Sequence, residues 1–295
     1  MPGYDEQLQL LIESALVEDI GDGDHSTLSC IPSASRGNAR LKIKDEGILA
    51  GVEVGKKIFL MIDPSAEFRI FKKDGETMVP GDVAFEVNSF VHTILGVERL
   101  VLNTMQRMSG IATLTRTYTQ KLAGYHTRLL DTRKTTPNFR LLEKEAVRIG
   151  GGLNHRMGLY DMIMLKDNHI DYAGGLEQAI SNAYEYVQKE KPGLKIEVET
   201  RSLDEVRRIL VHGKVDRIML DNFTPAQVTE ALLLVKGSVE TEASGGIDLD
   251  NITDYAKTGV DFVSAGALIH QARSLDLSLK AFHKSKSDSK SKMKN

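Results

Sequence analysis

Six short apolar runs in the second half of the chain decide the fold: TRLLDTRK (127–134), DMIMLKDNH (161–169), KIEVET (195–200), DRIMLDN (216–222), VETEASGG (239–246) and DFVSAG (261–266). Helix-like segments such as LDEVRRILVHG (203–213) and PAQVTEALLLVKG (225–237) stand between them. A strand, a crossover helix and a further strand are typical of a parallel sheet, and sequential parallel units favour a barrel. The sequence therefore predicts an α/β barrel.

Charged and polar residues stand where these runs end. Active sites of α/β barrels lie at the carboxyl ends of the strands. A buried strand has no structural use for a charged last residue, because burying a charge without a partner is costly. We therefore predict that the strand-end residues converge on one site, in preference to a coincidence of surface charges. They are Lys134, Lys166, Glu199, Asp221, Ser244 and Gly266.

The composition excludes several classes of protein. The 295 residues are 41% hydrophobic and 27% charged, and the net charge is −3. These values are ordinary for a globular protein and argue against a general binder of nucleic acid or anionic membranes. No apolar run approaches the roughly 20 residues that a membrane span requires. The acidic start does not resemble a secretory signal, and the single cysteine, Cys30, cannot form an internal disulfide. We expect a cytoplasmic protein without nucleic-acid or membrane partners.

Basic residues gather between Arg128 and His169. A solvated basic face is the common explanation of such a run, and a binding site for a small anion is the alternative. We favour the anion site because the run includes predicted strand ends. Glu199 and Asp221 suit Mg²⁺ held together with a substrate phosphate, or else a general acid–base pair. The glycine turns EASGGI (242–247) and VSAGAL (263–268) suit phosphate binding.

The first part of the chain reads as mixed α and β. Apolar residues recur at helical spacing between Asp5 and Glu18, and a longer helix is predicted from near Thr93. The loop GDGDHSTLS (21–29) contains potential metal ligands, but we favour an ordinary turn. The Lys/Ser segment 285–295 has almost nothing apolar to bury and is predicted to be disordered.

The stretch DTRKTTPNFRLLEKEAVRIGGGLNHRMGLYDMIMLKDNHI (131–170) resembles the central block of the quinolinate phosphoribosyltransferase family. The similarity continues through ERLVLNTMQRMSGIAT (98–113), EASGGIDLDNI (242–252) and SAGALIH (264–270), and covers nearly the whole chain. A match of this length and order is far more specific than a short motif.

The resemblance implies a fold and an assembly. It implies an amino-terminal α/β sandwich domain over 1–113 and an incomplete α/β barrel of parallel strands over 114–274. A carboxy-terminal helix over 275–284 would return to the first domain. The assembly would be a homodimer or a hexamer of dimers, in which Arg99 crosses the subunit interface.

The resemblance also implies a reaction. Phosphoribosyl would be transferred from phosphoribosyl pyrophosphate (PRPP) to quinolinate, with decarboxylation, to give nicotinate mononucleotide, pyrophosphate and CO₂. The groups that grip the two carboxylates of quinolinate would be Arg99, Arg133, Lys134, His155 and Arg156. Lys134 and Lys166 would lie near the pyridine and the pyrophosphate, with a division of roles that stays open.

The same resemblance assigns the sugar side of the site. Glu199 and Asp221 would contact the ribose hydroxyls and organise Mg²⁺, largely through the substrate. With Lys134 and Lys166 they form the implied catalytic group. The backbone amides that hold the 5-phosphate would be those of Ser244, Gly245, Gly246 and Gly266.

Two other functions stay open. A phosphoribosyltransferase acting on a related acceptor such as nicotinate would need fewer cations, so Arg133 and Arg156 together favour a dicarboxylate. A regulatory phosphate-binding barrel without chemistry would have little use for Glu199 and Asp221. No residue is identified that protonates the ring carbon after CO₂ leaves.

Overall fold

The computed structural model describes residues 3–282, and the segment 285–295, predicted to be disordered, lies outside this range. The chain forms two compact units. The described part of the first unit comprises 3–113, 137–150 and 272–282, and the second unit comprises 114–136 and 151–271. Within residues 3–282, no helix combines the length and the apolar character needed to cross a bilayer.

Helices and strands follow one another along the chain. Up to Lys121 they are α1 (Tyr4–Ile20), α2 (His25–Cys30), β1 (Arg36–Ile43), β2 (Gly47–Ile48), α3 (Val52–Ile62), β3 (Glu67–Ile70), β4 (Thr77–Met78), β5 (Val83–Phe90) and α4 (Val91–Lys121). From Arg128 they are β6 (Arg128–Leu130), α5 (Arg140–Gly150), β7 (Ile163–Leu165), α6 (Asp167–Ala173), α7 (Leu176–Glu190), β8 (Ile196–Thr200), α8 (Leu203–His212), β9 (Arg217–Asp221), α9 (Pro225–Val235), β10 (Glu240–Ser244), α10 (Ile252–Lys257), β11 (Phe262–Ser264), α11 (Ala267–His270) and β12 (Leu277–Phe282).

A four-stranded antiparallel sheet, in the order β12–β1–β5–β3, forms the centre of the first unit. Helix α3 packs on this sheet through Phe59. The Phe59 ring contacts Phe68 of β3 and Phe85 of β5 edge-on, with centroids 5.5 and 6.5 Å away. Edge-to-face packing of buried rings stabilises such a layer beyond the area that it buries. The unit is the predicted α/β sandwich.

The carboxy-terminal segment corrects one prediction. Within the predicted helix 275–284, Leu277–Phe282 is instead a strand that pairs antiparallel with β1, with Leu279 opposite Leu41. Leu277 and Leu279 alternate along the segment, and a period of two belongs to a strand. Pairing also satisfies the backbone groups at the edge of β1. The chain does return to the first unit, but it does so as a strand.

Helix α5 also differs from the predicted division, which placed it in the barrel domain 114–274. Its residues belong to the first unit. Glu143 of α5 is fully buried and lies 2.9 Å from the guanidinium of Arg107 on α4. A buried carboxylate requires such a partner, and this contact ties α5 to the first unit.

In the amino-terminal loop the turn interpretation is confirmed. Asp24 precedes α2, and its carboxylate accepts a hydrogen bond from the backbone N–H of Thr27 at 3.1 Å. This is the ordinary role of aspartate at a helix N-cap. The predicted first helix is α1, and the predicted longer helix is α4.

Six parallel strands form the second unit, in the order β6–β11–β10–β9–β8–β7. All six predicted apolar runs contain one of these strands, and α8 and α9 occupy the predicted helical segments. Leu220, Ala243 and Val263 lie side by side in register on one face of the sheet. The residues that alternate with them are mostly polar or charged and point to the other face. Because β6 and β7 end the sheet, the barrel is incomplete, as the resemblance implied.

Candidate active site

A cavity of about 440 Å³ opens at the carboxyl ends of the strands of the second unit. Parallel strands bring their carboxyl ends to one edge, so residues that are distant in sequence meet there. The predicted site residues that line this cavity are Arg133, Lys134, His155, Arg156, Lys166, Glu199, Asp221 and Ser244. The structure therefore confirms that these residues converge, while the role of each in binding stays a prediction.

A smaller cavity of about 210 Å³ adjoins the first and shares Lys134 and Ser244 with it. The predicted glycines Gly245, Gly246 and Gly266 line it. Gly245 has φ +94° and Gly246 has φ +62°, conformations that side chains rarely adopt. Consecutive backbone amides freed in this way form a concave site suited to phosphate. His270 also lines this cavity, and the sequence predicted no role for it.

One side of the larger cavity is anionic. Asp221 ends β9, and Glu199 lies one residue before the end of β8. Glu199 forms an ion pair with Nζ of Lys166. Burial and the neighbouring Glu199 raise the pKa of Asp221, and the nearby lysines, Lys166 and Lys134, oppose that rise. The two carboxylates therefore line the same cavity and interact electrostatically.

The other side is cationic. Arg133 and Arg156 both line it, and burial together with the neighbouring Arg133 lowers the pKa of Arg156. Nε of Arg133 is buried and has no hydrogen-bond partner in the described structure. The repulsion between the two guanidinium groups would be relieved by a ligand with several anionic groups.

Two carboxylates hold the loop that carries Arg156. Asp131 is fully buried and accepts a hydrogen bond from the backbone N–H of His155 at 2.8 Å. Asp161 accepts hydrogen bonds from the backbone N–H groups of residues 157–158 at 2.7 and 2.9 Å. These bonds fix the backbone on both sides of Arg156, so its guanidinium starts from a defined position.

The ring of His155 points into the interior of the sheet. Nε2 lies 2.9 Å from Oε2 of Glu197 and 3.3 Å from Oε2 of Glu242. Burial opposes the charged form of the imidazole, but the two carboxylates outweigh burial and raise the pKa of His155 to about 9. In the neutral ring Nδ1 accepts the backbone N–H of Arg156 at 2.7 Å, and Nε2 carries the proton. Both ring nitrogens thus have protein partners.

Sequence reasoning missed the buried charged residues around His155, one of which, Glu242, lines the cavity. Glu197 and Glu242 are fully buried, and a guanidinium nitrogen of Arg217 lies 3.2 Å from Glu242. A signal was available, because glutamates recur at alternate positions in EVE (197–199) and ETE (240–242). Alternate residues of a strand share a face, so one interior-facing glutamate implies the other.

Two groups of side chains could be considered for a metal ion. The ligand atoms of His155, Glu197 and Glu242 lie within 4.8 Å of one another. Because Nε2 of the histidine carries a proton, this buried group is an ion-paired cluster and not a free metal site. Glu199 and Asp221 offer hard carboxylate oxygens, which suit Mg²⁺. Among residues 3–282 no third ligating side chain converges with them, so a cation there would complete its coordination from a ligand.

Arg99 is the one predicted site residue placed elsewhere. It is exposed on α4, in the first unit, and lines neither cavity. The predicted role across a subunit interface is not tested by a single chain.

Comparisons with known proteins cover nearly the whole sequence. Residues 24–109 match the family model described as quinolinate phosphoribosyl transferase, N-terminal domain. Residues 111–280 match the model of the C-terminal domain of the same family.

Individual relatives agree with these matches. The chain is 42% identical over 294 residues to a chloroplastic nicotinate-nucleotide pyrophosphorylase (carboxylating) of Oryza sativa, with 95% of this chain and 78% of the relative covered. It is equally identical to quinolinate phosphoribosyltransferase (decarboxylating) 1 of Nicotiana glauca, with 95% and 83% covered. The crystal structure of NadC from Streptococcus pyogenes superposes with a TM-score of 0.86 at 39% identity, over 94% of this chain and 98% of that one.

Proposed function

This chain belongs to the quinolinate phosphoribosyltransferase family, and we propose that it joins quinolinate to the phosphoribosyl group of PRPP. The reaction releases pyrophosphate and CO₂ and yields nicotinate mononucleotide. The observation that supports this function best is the division of one cavity into two sides. Arg133 and Arg156 lie on the cationic side, and Glu199 and Asp221 lie on the anionic side.

The cationic side suits the acceptor. Each guanidinium can donate two parallel hydrogen bonds to one carboxylate. Quinolinate carries two carboxylates, so it would neutralise both Arg133 and Arg156. Nicotinate carries one carboxylate, so it would leave one of the two guanidinium groups without an anionic partner. The dicarboxylate is therefore the better fit.

The anionic side and the glycine turns suit PRPP. Glu199 and Asp221 can accept hydrogen bonds from the ribose hydroxyls, while the turn at Gly245 receives the 5-phosphate. Lys134 lines both cavities, and Lys166 faces the larger one. Both lysines are placed to stabilise negative charge on the pyrophosphate as it leaves. Mg²⁺ bound with the pyrophosphate would share that task, and Glu199 and Asp221 are the residues that would hold it.

The residues mainly position the reactants. The pyridine nitrogen attacks the anomeric carbon while the bond to pyrophosphate breaks, through an oxocarbenium-like transition state. The ring nitrogen then carries a positive charge and accepts the electron pair as the 2-carboxylate leaves as CO₂. Proton transfer to that ring carbon completes the product.

The proposal is tested by incubating the protein with quinolinate, PRPP and Mg²⁺ and following CO₂ and nicotinate mononucleotide together. Equal amounts of the two products are expected. Product from nicotinate without CO₂ would instead support the related acceptor. Absence of product with either acceptor, while PRPP still binds, would leave a phosphate-binding barrel.

We also propose a homodimer, or a hexamer of dimers, in which Arg99 of one subunit reaches the site of the other. Its exposure on α4 leaves it accessible to a second chain. Mixing inactive Arg99→Ala with inactive Asp221→Ala tests this arrangement. Random mixed dimers would regain about one quarter of the wild-type sites, because half of the dimers are mixed and each contains one intact site. No regained activity would contradict a shared site.

A cytoplasmic location is proposed on the composition alone. The chain has one cysteine, Cys30, which suits a reducing compartment. The name of the rice relative places that protein in the chloroplast. Fractionation of the native source decides between a cytosolic and an organellar protein.

A further inference from the structure

Asn222 follows the carboxylate Asp221 in an unusual backbone conformation. Its φ is +57°, in the left-handed region, which side chains other than glycine occupy at a cost. Asparagine tolerates this region better than most residues, so the conformation alone could be an ordinary turn. Strained residues nevertheless cluster at functional sites, and the contacts of Asn222 decide between the two interpretations.

The first contacts of Asn222 join two strand ends. Its side-chain Nδ2 donates a hydrogen bond to Oδ2 of Asp221 at 2.7 Å. Its backbone N–H donates to the carbonyl oxygen of Ser244, at the end of β10, also at 2.7 Å. One residue therefore orients the Asp221 carboxylate and ties the end of β9 to the end of β10.

The carboxamide of Asn222 also packs against the glycine turn. A Cβ placed on Gly245 would collide with Oδ1 of Asn222 and would lie 2.9 Å from its backbone nitrogen. Gly245 lines the smaller cavity, and Asp221 lines the larger one. The Asn222 side chain thus stands between the carboxylate on the ribose side and the turn on the phosphate side.

On the basis of the proposed function, we propose that Asn222 is a positioning residue for PRPP. It sets the spacing between the Asp221 carboxylate and the turn at Gly245, so that the ribose hydroxyls and the 5-phosphate are held in one pose. In the described part of the chain its hydrogen bonds are made with Asp221 and Ser244, not with the guanidinium side of the cavity. Its loss should therefore affect PRPP and leave quinolinate binding unchanged.

The test is Asn222→Gly, because glycine adopts the left-handed backbone freely and removes only the carboxamide. Titration calorimetry with PRPP and Mg²⁺ alone should show Kd raised at least about tenfold, since small misplacements at such sites are costly. The Kd of quinolinate, titrated alone, should change by less than about twofold. The melting temperature should not fall, because relief of backbone strain offsets the lost contacts.

A matched control is Lys236→Gly. Lys236 also has a left-handed φ, +50°, at the C-cap of α9, and it lines neither cavity. It should retain wild-type affinity for both ligands. In Asn222→Asp the side chain keeps its size, and aspartate also tolerates the left-handed backbone, but a second carboxylate is placed beside Asp221. This variant should weaken PRPP binding at least as much as Asn222→Gly.

The outcomes separate the two proposals. Wild-type affinity for PRPP in a folded Asn222→Gly protein would overturn the role of Asn222 and leave the proposed function intact. Equal losses of PRPP and quinolinate affinity would show a general structural role and also overturn it. A wild-type chain that does not bind PRPP would overturn both.

Discussion

Nε2 of His155 lies 2.9 Å from Oε2 of Glu197, and the two side chains are 5% and 0% exposed. The interior of an α/β barrel is usually filled by branched apolar residues. Here a cluster of charges occupies that place, with Glu242 and Arg217 completing it. Buried ion pairs contribute little to stability compared with apolar packing, so their presence points to a function. His155 and Glu242 of this cluster line the cavity, and Glu197 and Arg217 lie behind them and support them.

The stability of the protein should depend on the charge of His155. The pKa of the unfolded residue is about 6.5, and burial together with the stronger opposing effect of the two carboxylates leaves the folded pKa at about 9. Because folding raises the pKa, the charged imidazole stabilises the folded protein fully below pH 6.5. This stabilisation is lost as the pH rises through 9. The loss can be at most about 3 kcal/mol. Urea unfolding at pH 6 and pH 9.5 measures it, and His155→Asn should lack this part of the pH dependence. Identical pH dependence in both proteins would contradict the assignment.

Glu242→Gln should destabilise the protein by about 3 kcal/mol, the typical cost of breaking a buried charge pair. The change leaves Arg217 and His155 with a weaker partner inside the sheet. Glu240→Gln is the matched control, because Glu240 is only half-buried and pairs with the same arginine at 2.9 Å. It should cost less than about 1 kcal/mol. The urea midpoints of the two variants give the comparison. A loss for Glu242→Gln no larger than that for Glu240→Gln would show that the cluster tolerates loss of its central charge.

Asp161→Ala should weaken quinolinate binding about tenfold, because the loop that carries Arg156 loses two backbone hydrogen bonds. PRPP affinity should stay near the wild-type value. Asp254→Ala serves as the control, since it removes a carboxylate that pairs with Lys257 on the surface. Calorimetry with each ligand alone gives the comparison. Unchanged quinolinate affinity in Asp161→Ala would mean that the loop does not need this anchor.

Asp221→Ala should lower the turnover rate at least about a hundredfold while the fold is kept. The carboxylate faces the cavity, and its partners are the lysines of the site and Asn222. Removing it relieves an unfavourable burial, so the circular dichroism spectrum should stay unchanged and the urea midpoint should not fall. Loss of the native spectrum would make Asp221 structural.

The parallel strands could be predicted because their apolar runs are separated by regular helical patterns. Convergence of Lys166, Glu199 and Asp221 followed from the rule that carboxyl ends of parallel strands meet. The carboxy-terminal strand could not be predicted with the same ease. Whether LDLSLKAF (275–282) pairs as a strand depends on the open edge of β1, which is distant in sequence.

The buried cluster could not be read from composition, because glutamates in a strand usually face solvent. Their partners, His155 and Arg217, come from other parts of the chain, and only the fold shows that these side chains meet. The hydrogen bond from the backbone N–H of His155 to Asp131, which helps to place Arg156, likewise joins residues that are distant in sequence. Short motifs thus identified the groups that face the ligand, while the groups that hold them in place required the structure.

Separate titration of the two ligands against variants of the two sides tests the central claim most directly. Arg156→Ala should raise the Kd of quinolinate at least about tenfold and change that of PRPP by less than about twofold. Glu199→Gln should show the opposite pattern with PRPP and Mg²⁺. Equal losses of both ligands in both variants would contradict a cavity that is cationic toward quinolinate and anionic toward PRPP.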